Sequence, residues 1–102
     1  MDWARRAIAD LQSGVSTMIK PRGRSMKGLV EDGQTVRLDP IPLDGEINKG
    51  DIVLCRVQGH EYLHLVHAVG SRGYLIGNAR GHLNGWTPRS RIFGRLGKRL
   101  EG

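Results

Sequence analysis

The chain of 102 residues carries a formal net charge of +6, with 38% hydrophobic residues and fifteen glycines. This length fits one domain, and the glycine content favours a turn-rich β fold over a helix bundle. A single cysteine excludes a disulfide framework and a multi-cysteine zinc site. The apolar runs are too short to span a membrane and no apolar signal segment opens the sequence, so we expect a cytoplasmic protein without a transmembrane segment.

The first predicted element is an amphipathic helix within residues 1–14. Asp2 is placed to cap it, and Gly14 follows where a helix commonly ends in a left-handed residue. Its apolar stripe consists of Trp3, Ala4, Ala7, Ile8 and Leu11. At this helical spacing the stripe is expected to pack on a sheet, and a surface that docks a partner or dimerises is the alternative.

Residues 15–102 have the pattern of a β domain. Predicted strands cover residues 15–20, 35–38, 51–57, 61–69, 74–76 and 92–96. Turns are predicted at 58–60 and 71–73, and residues 78–89 are expected to form a polar loop. Closely spaced short strands of this kind predict a mainly β fold, a single coiled and mostly antiparallel β domain with one N-terminal helix.

Four histidines are candidates for chemistry: His60, His64, His67 and His82. Because side chains alternate along a strand, His67 is expected to share a face with Leu63 and Leu65, with His64 on the opposite face. Opposite faces prevent His64 and His67 from chelating one ion, so no metal site is expected. From alternation alone, His67 is either a packed core histidine or a catalytic base.

A second candidate is the serine in Gly23-Arg24-Ser25-Met26, between a predicted strand and the turn at Asp32-Gly33. A serine that follows a glycine at the end of a strand can be presented in the open. Its own backbone N–H can then face a developing oxyanion. An ordinary turn serine is the alternative interpretation.

The order of these segments forms a pattern. Gly23-Arg24-Ser25-Met26 matches a G-x-S-M box, and residues 49–53 match K-G-D-I-V at the start of a strand. Val66-His67-Ala68-Val69 then stands in the place of a K-R-V or H-R-V segment. Residues 74–78 are similar to a y-x-x-G-D-N segment, and residues 92–96 are similar to an I-x-G-x-V segment. In this order and spacing, the chain resembles the LexA/signal-peptidase superfamily, peptidase families S24 and S26.

The resemblance implies an S24/S26 peptidase type of β domain, with Ser25 as the nucleophile and His67 as the general base. Gly23, Arg24 and Met26 would line the oxyanion side of the site. In the His-type signal peptidases an aspartate orients the histidine, but residues 78–89 contain no acid and Asn84 stands near that place. An asparagine can fix a catalytic histidine without stabilising its charge, and replacing the acid in serine proteases costs about 10⁴ in rate.

Three functions remain open at this point, and none of them requires a cofactor. The first is a soluble serine endopeptidase that cleaves another peptide or protein in trans, since the Ala-Gly and Cys-Gly bonds used in self-cleavage are absent. The second is a catalytically silent module that binds a peptide strand at the same cleft. The third is a nucleic-acid-binding module that uses basic residues. These are Arg22, Arg24, Lys27, Arg89, Arg91, Arg95, Lys98 and Arg99.

Overall fold

The computed structural model describes residues 3–21, 26 and 30–99, and in these residues seven antiparallel strands form one sheet. The helix α1 (Arg5–Gln12) precedes the sheet, and a 3-10 turn at Arg89–Arg91 precedes its last strand. The strands are β1 (Thr17–Ile19), β2 (Val36–Asp39), β3 (Ile52–Val57), β4 (His60–Gly70), β5 (Gly73–Gly77), β6 (Leu83–Thr87) and β7 (Ile92–Arg99). Their order across the sheet is β1-β2-β7-β3-β4-β5-β6. The prediction of a mainly β fold with one N-terminal helix is therefore confirmed.

The helix α1 packs on the sheet through most of its predicted stripe. Ala4, Ala7, Ile8 and Leu11 are buried, whereas Trp3 is 48% exposed and lies outside this packed face. The helix can approach β7 closely because Gly94 has no side chain: a Cβ at Gly94 would lie 2.7 Å from Cδ1 of Leu11. Gly14 has the predicted left-handed φ, 81°. The predicted cap Asp2 lies outside the described residues, and Ala4 occupies the N-cap position.

Two apolar clusters flank β3, which explains its continuous hydrophobic sequence. Leu54 contributes to the cluster under α1, while Val53 and Cys55 contribute to a second cluster with Val66 and Ile76. The sheet curls so that β6 approaches β3, and the Thr87 hydroxyl donates a 2.7 Å hydrogen bond to the carbonyl of Arg56. Both faces of β3 are thereby buried.

The predicted loop over residues 78–89 is wrong in part, because Leu83–Thr87 forms β6 and pairs with β5. This strand lacks a regular alternation of polar and apolar residues. Its pairing is irregular between Ile76 and Gly77, and Gly85 has a φ of 134°, which a residue with a side chain rarely adopts. The irregular backbone explains why the segment has the sequence signature of a loop.

The β3–β4 hairpin exposes one edge of β4. Gln58 and Gly59 both have positive φ, as in a two-residue type I′ turn, so Val57 and His60 form the first hydrogen-bonded pair. Hydrogen-bonded pairs alternate along antiparallel strands, so the N–H and C=O groups of Glu61 and Leu63 point away from β3. On that side, β5 pairs with β4 only from Leu65 onward. Within the described chain, residues 61–64 thus have no strand on their outer edge.

Candidate functional site

A cavity of about 430 Å³ lies beside this free edge of β4. Its wall combines apolar side chains with charged and aromatic ones. The lining residues in the described chain are Trp3, Lys20, Pro21, Met26, Val30, Glu31, Glu61, Tyr62, Leu63 and His64. The cavity therefore brings together the start of the helical region, the end of β1 and the first half of β4.

His64 is the histidine that lines this cavity. It is 7% exposed, and its Nδ1 lies 2.7 Å from Oδ1 of Asn84. An amide oxygen can only accept, so Nδ1 carries a proton and donates it, and the neutral ring has its lone pair on Nε2. Asn84 therefore fixes both the orientation and the tautomer of His64.

Burial lowers the pKa of His64 below its ordinary value, because the charged imidazolium loses hydration. The hydrogen bond that Nδ1 of His64 donates to Asn84 raises the pKa, and repulsion from His82 and His67 lowers it further. The net effect favours the neutral ring. A neutral histidine with an unprotonated Nε2 is a competent proton acceptor.

The Tyr62 ring stacks against one face of the His64 ring. The two ring centroids are 4.9 Å apart and the planes differ by 22°, which is a stacked arrangement. Because Tyr62 and His64 are two residues apart on β4, their side chains lie on the same face of the strand. The hydrogen bond to Asn84 and the stacked Tyr62 ring thus both orient the imidazole.

His67 has a different environment, and the expected pairing of His67 with Asn84 is not the one observed. The pairing of β4 with β5 shifts between Val66 and Ala68, which places His67 in a β-bulge. Its Nε2 lies 2.9 Å from the backbone carbonyl of Asn78, and it is not among the described residues that line the cavity. The bulge adds one residue to β4, so the regular alternation that predicted the direction of His67 does not continue through it.

His67 connects β4 to the β5–β6 turn. The Asn78 side-chain oxygen accepts hydrogen bonds from the backbone N–H groups of Arg80 and His82, both at 2.9 Å. Asn78 thereby orders the turn, and its carbonyl receives Nε2–H of His67. This network leads directly into β6, which carries Asn84.

The serine segment lies at the border of the described residues. Ser25, Gly23 and Arg24 lie outside the described residues, whereas Met26 is described, is 5% exposed and lines the cavity. Ser25 directly precedes Met26 in the sequence.

A signal for His64 was present in the sequence. Of the H-R-V segment in the resemblance, the histidine and the valine match His64-Leu65-Val66 as well as His67-Ala68-Val69, and the arginine matches neither. The structure separates the two, because Val66 is 1% exposed in the core and Val69 is 52% exposed. The buried valine accompanies His64.

Glu61 on the cavity wall has a structural partner. Glu61 forms an ion pair with Arg56, whose Nε lies 2.7 Å from Oε2 of Glu61. The Arg56 guanidinium also lies 5.4 Å from the ring centre of Phe93. Burial raises the pKa of the Cys55 thiol to about 12, so Cys55 is not a nucleophile at neutral pH. Across residues 3–21, 26 and 30–99, no group of three histidine, cysteine or carboxylate side chains is arranged to hold a metal ion.

Comparison with known proteins adds no family assignment. No protein-family model, no curated protein and no solved structure matches the chain significantly. In the described part of the chain, no helix has the length and apolar character needed to cross a membrane. The function is therefore proposed from the geometry around His64 and from the order of the sequence motifs.

Proposed function

We propose that this protein is a serine endopeptidase of the S24/S26 type that cleaves a peptide or protein in trans, with Ser25 as nucleophile and His64 as general base. The observation that supports it most is the 2.7 Å contact between Nδ1 of His64 and Asn84 at the cavity that Met26 also lines. His64 replaces His67 in the proposal, because the nearest partner of His67 is a backbone carbonyl.

The proposed chemistry needs a base that is neutral near pH 7 and correctly oriented. Serine is a weak nucleophile until a neighbouring group accepts its proton. His64 accepts the Ser25 proton at Nε2 as the oxygen attacks the scissile carbonyl, and returns it to the leaving amine. Asn84 keeps Nδ1 protonated through both steps, while the Ser25 N–H supports the oxyanion.

The free edge of β4 supports an extended substrate. The N–H and C=O groups of Glu61 and Leu63 point away from β3, to a side where no strand of the described chain pairs with them, and an incoming peptide can add there as a strand. Leu63 also lines the cavity, so a substrate side chain can enter it while the substrate backbone pairs with β4. A substrate bound in this way would present one of its peptide bonds to His64.

A catalytically silent peptide-binding module is the second candidate. It is favoured by the neutral amide of Asn84, which orients His64 but gives no charge stabilisation to an imidazolium. The free strand edge and the cavity serve binding equally well without chemistry. The two candidates differ only in whether Ser25 is activated.

A fluorophosphonate probe read by intact mass tests the proposal. We expect the wild type to be labelled once, Ser25→Ala not to be labelled, and His64→Ala to be labelled more slowly by about 10² or more, the usual contribution of a general base. His67→Gln keeps a donor for the Asn78 carbonyl and is expected to retain labelling. Circular dichroism melting of each variant confirms that it is folded.

Other outcomes have definite meanings. Labelling that survives His64→Ala and disappears in folded His67→Gln would restore His67 as the base. A folded wild type that is never labelled between neutral and alkaline pH, but binds extended peptides, would establish the silent module.

A further inference from the structure

A second cavity adjoins the first and shares part of its wall. It also measures about 430 Å³ and follows the groove between α1 and β1. Its lining residues are Trp3, Arg6, Ala7, Asp10, Thr17, Met18, Ile19 and Lys20. Trp3 and Lys20 line both cavities, so a peptide in the first can continue across Trp3 into the second.

Among the residues that the structure describes, the second cavity has an excess of positive charge. Arg6 and Lys20 contribute two positive charges and Asp10 one negative charge. Among the described residues, the ion pairs are Arg37–Asp39, Arg56–Glu61 and Arg95–Asp51, so neither Arg6 nor Lys20 takes part in one. Unpaired cations along a groove attract an anionic ligand.

The two cavities differ in what they can recognise. Trp3, Pro21, Met26, Val30 and Leu63 form the apolar part of the first cavity. The Glu61 carboxylate forms an ion pair with Arg56, which reduces its repulsion of an anionic ligand. Glu31 is a second acidic group on the wall. The first cavity thus suits a bulky apolar side chain, and the second suits an acidic one.

The groove is held by rigid elements. Ala4, Ala7, Ile8 and Leu11 anchor α1 to the sheet, so Arg6 has a fixed place on the outer face of the helix. The opposite wall is β1, the terminal strand of the sheet order, and its outer edge carries no strand within the described chain. Trp3 is 48% exposed at the junction and offers a broad contact surface to a passing peptide.

We propose that α1 and β1 extend the substrate groove and select peptides in which an acidic residue flanks a bulky apolar residue. The inference rests on the proposed peptidase function and adds the substrate class to it. Arg6 and Lys20 bind the acidic side chain, and Trp3 covers the backbone between the two subsites.

Binding of a peptide library to the Ser25→Ala chain tests this without turnover. Each peptide carries a central Leu or Phe, with Asp, Ala or Lys at each flanking position. We expect Asp to be preferred over Lys on one flank by about fivefold, the size of one or two partly screened charge contacts. The preference should weaken in about 1 M salt, where the Debye length is about 3 Å.

Two charge reversals on the same helix give the matched comparison. Arg6→Glu should abolish the preference for Asp, because Arg6 lines the groove. Arg5→Glu makes the same change of charge one residue away, outside the described lining, and should keep the preference. Equal binding of Asp and Lys peptides on both flanks, or an equal loss in both variants, would overturn the proposal.

The fluorophosphonate reaction of the wild type separates this inference from the function on which it rests. Labelling of a protein that shows no acidic preference would support the peptidase function and exclude the extended groove. An acidic preference that depends on Arg6, in a protein that is never labelled, would support the extended groove and exclude the peptidase function.

Discussion

Nδ1 of His64 and Oδ1 of Asn84 are 2.7 Å apart although β5 separates their strands in the sheet order. The contact forms because β5 ends at Gly77, which pairs with Leu65 on one side and with Leu83 on the other. His64 and Asn84 are the sequence neighbours of these two partners. On β4, His64 lies one residue beyond the last pair with β5, whereas on β6 Asn84 is the extra residue at the irregular pairing between Gly85 and Leu83. The contact therefore forms at the end of β5, and His64 also lines the cavity.

Substitutions of Asn84 should change the reactivity of the site in opposite directions. Asn84→Ala removes one hydrogen bond, worth about 1 kcal/mol, and should slow fluorophosphonate labelling by about fivefold. Asn84→Asp still accepts from Nδ1 and adds a negative charge, so the pKa of His64 should rise and labelling should accelerate. NMR titration of the His64 ring measures the change in its pKa. An unchanged pKa in Asn84→Asp would contradict the observed contact.

Tyr62 is expected to act as a positioning residue through its ring. Tyr62→Phe keeps the stacked ring at 4.9 Å and should leave labelling close to that of the wild type. Tyr62→Leu keeps apolar volume but removes the plane, and should slow labelling and broaden the ¹⁵N resonances of His64 as the imidazole gains freedom. Equal behaviour of the two variants, at equal melting temperature, would assign Tyr62 to packing alone.

The lowered pKa of His64 predicts a specific pH dependence of stability. Between the folded pKa and the ordinary value of 6.5, the unfolded chain binds more protons than the folded chain. The free energy of unfolding therefore has its full contribution from His64 above 6.5 and loses it as the pH falls toward the folded pKa. Urea unfolding at about pH 7.5 and about pH 5 should show a larger loss in the wild type than in His64→Gln. A loss of the same size in both would exclude His64 as its source.

The rate of fluorophosphonate labelling should follow the titration of His64, because the neutral ring is the form that accepts the Ser25 proton. Labelling is expected to rise with pH through a midpoint below 6.5 and to be constant above it.

Much of the fold follows from local sequence patterns, while the pairing within the site depends on long-range geometry. The stripe of Ala4, Ala7, Ile8 and Leu11 and the hairpin at Gln58-Gly59 need only helical spacing or turn chemistry, and the structure confirms both. The bulge at His67 adds one residue to the strand without a compositional signal. The contact of Asn84 with His64 then depends on where β5 ends and on how the sheet curls, which neither residue's neighbours indicate.

Gly77 is predicted to be intolerant of a side chain. A Cβ there would lie 2.6 Å from the carbonyl oxygen of His82 and 2.9 Å from Cδ2 of His67. Gly77→Ala should therefore lower the free energy of unfolding by about 1–3 kcal/mol, as overpacking does elsewhere. Gly70→Ala is the matched control, because its Cβ would meet only Trp86 at 3.4 Å, an ordinary contact, and should change stability by less than about 0.5 kcal/mol. Similar urea midpoints for both variants would contradict the close packing of His67 against Gly77.

Cys55 is expected to report opening of the second apolar cluster. Its side chain is fully buried and burial raises its thiol pKa to about 12, so the native chain should react very slowly with iodoacetamide at about pH 8. The reactive thiolate then forms only in molecules that have opened, and the rate of modification measures that population. Gly77→Ala should raise the rate in proportion to its loss of stability if opening is global, whereas Gly70→Ala should not. Modification of the native wild type as fast as that of a urea-unfolded sample would contradict the burial of Cys55 in the second apolar cluster.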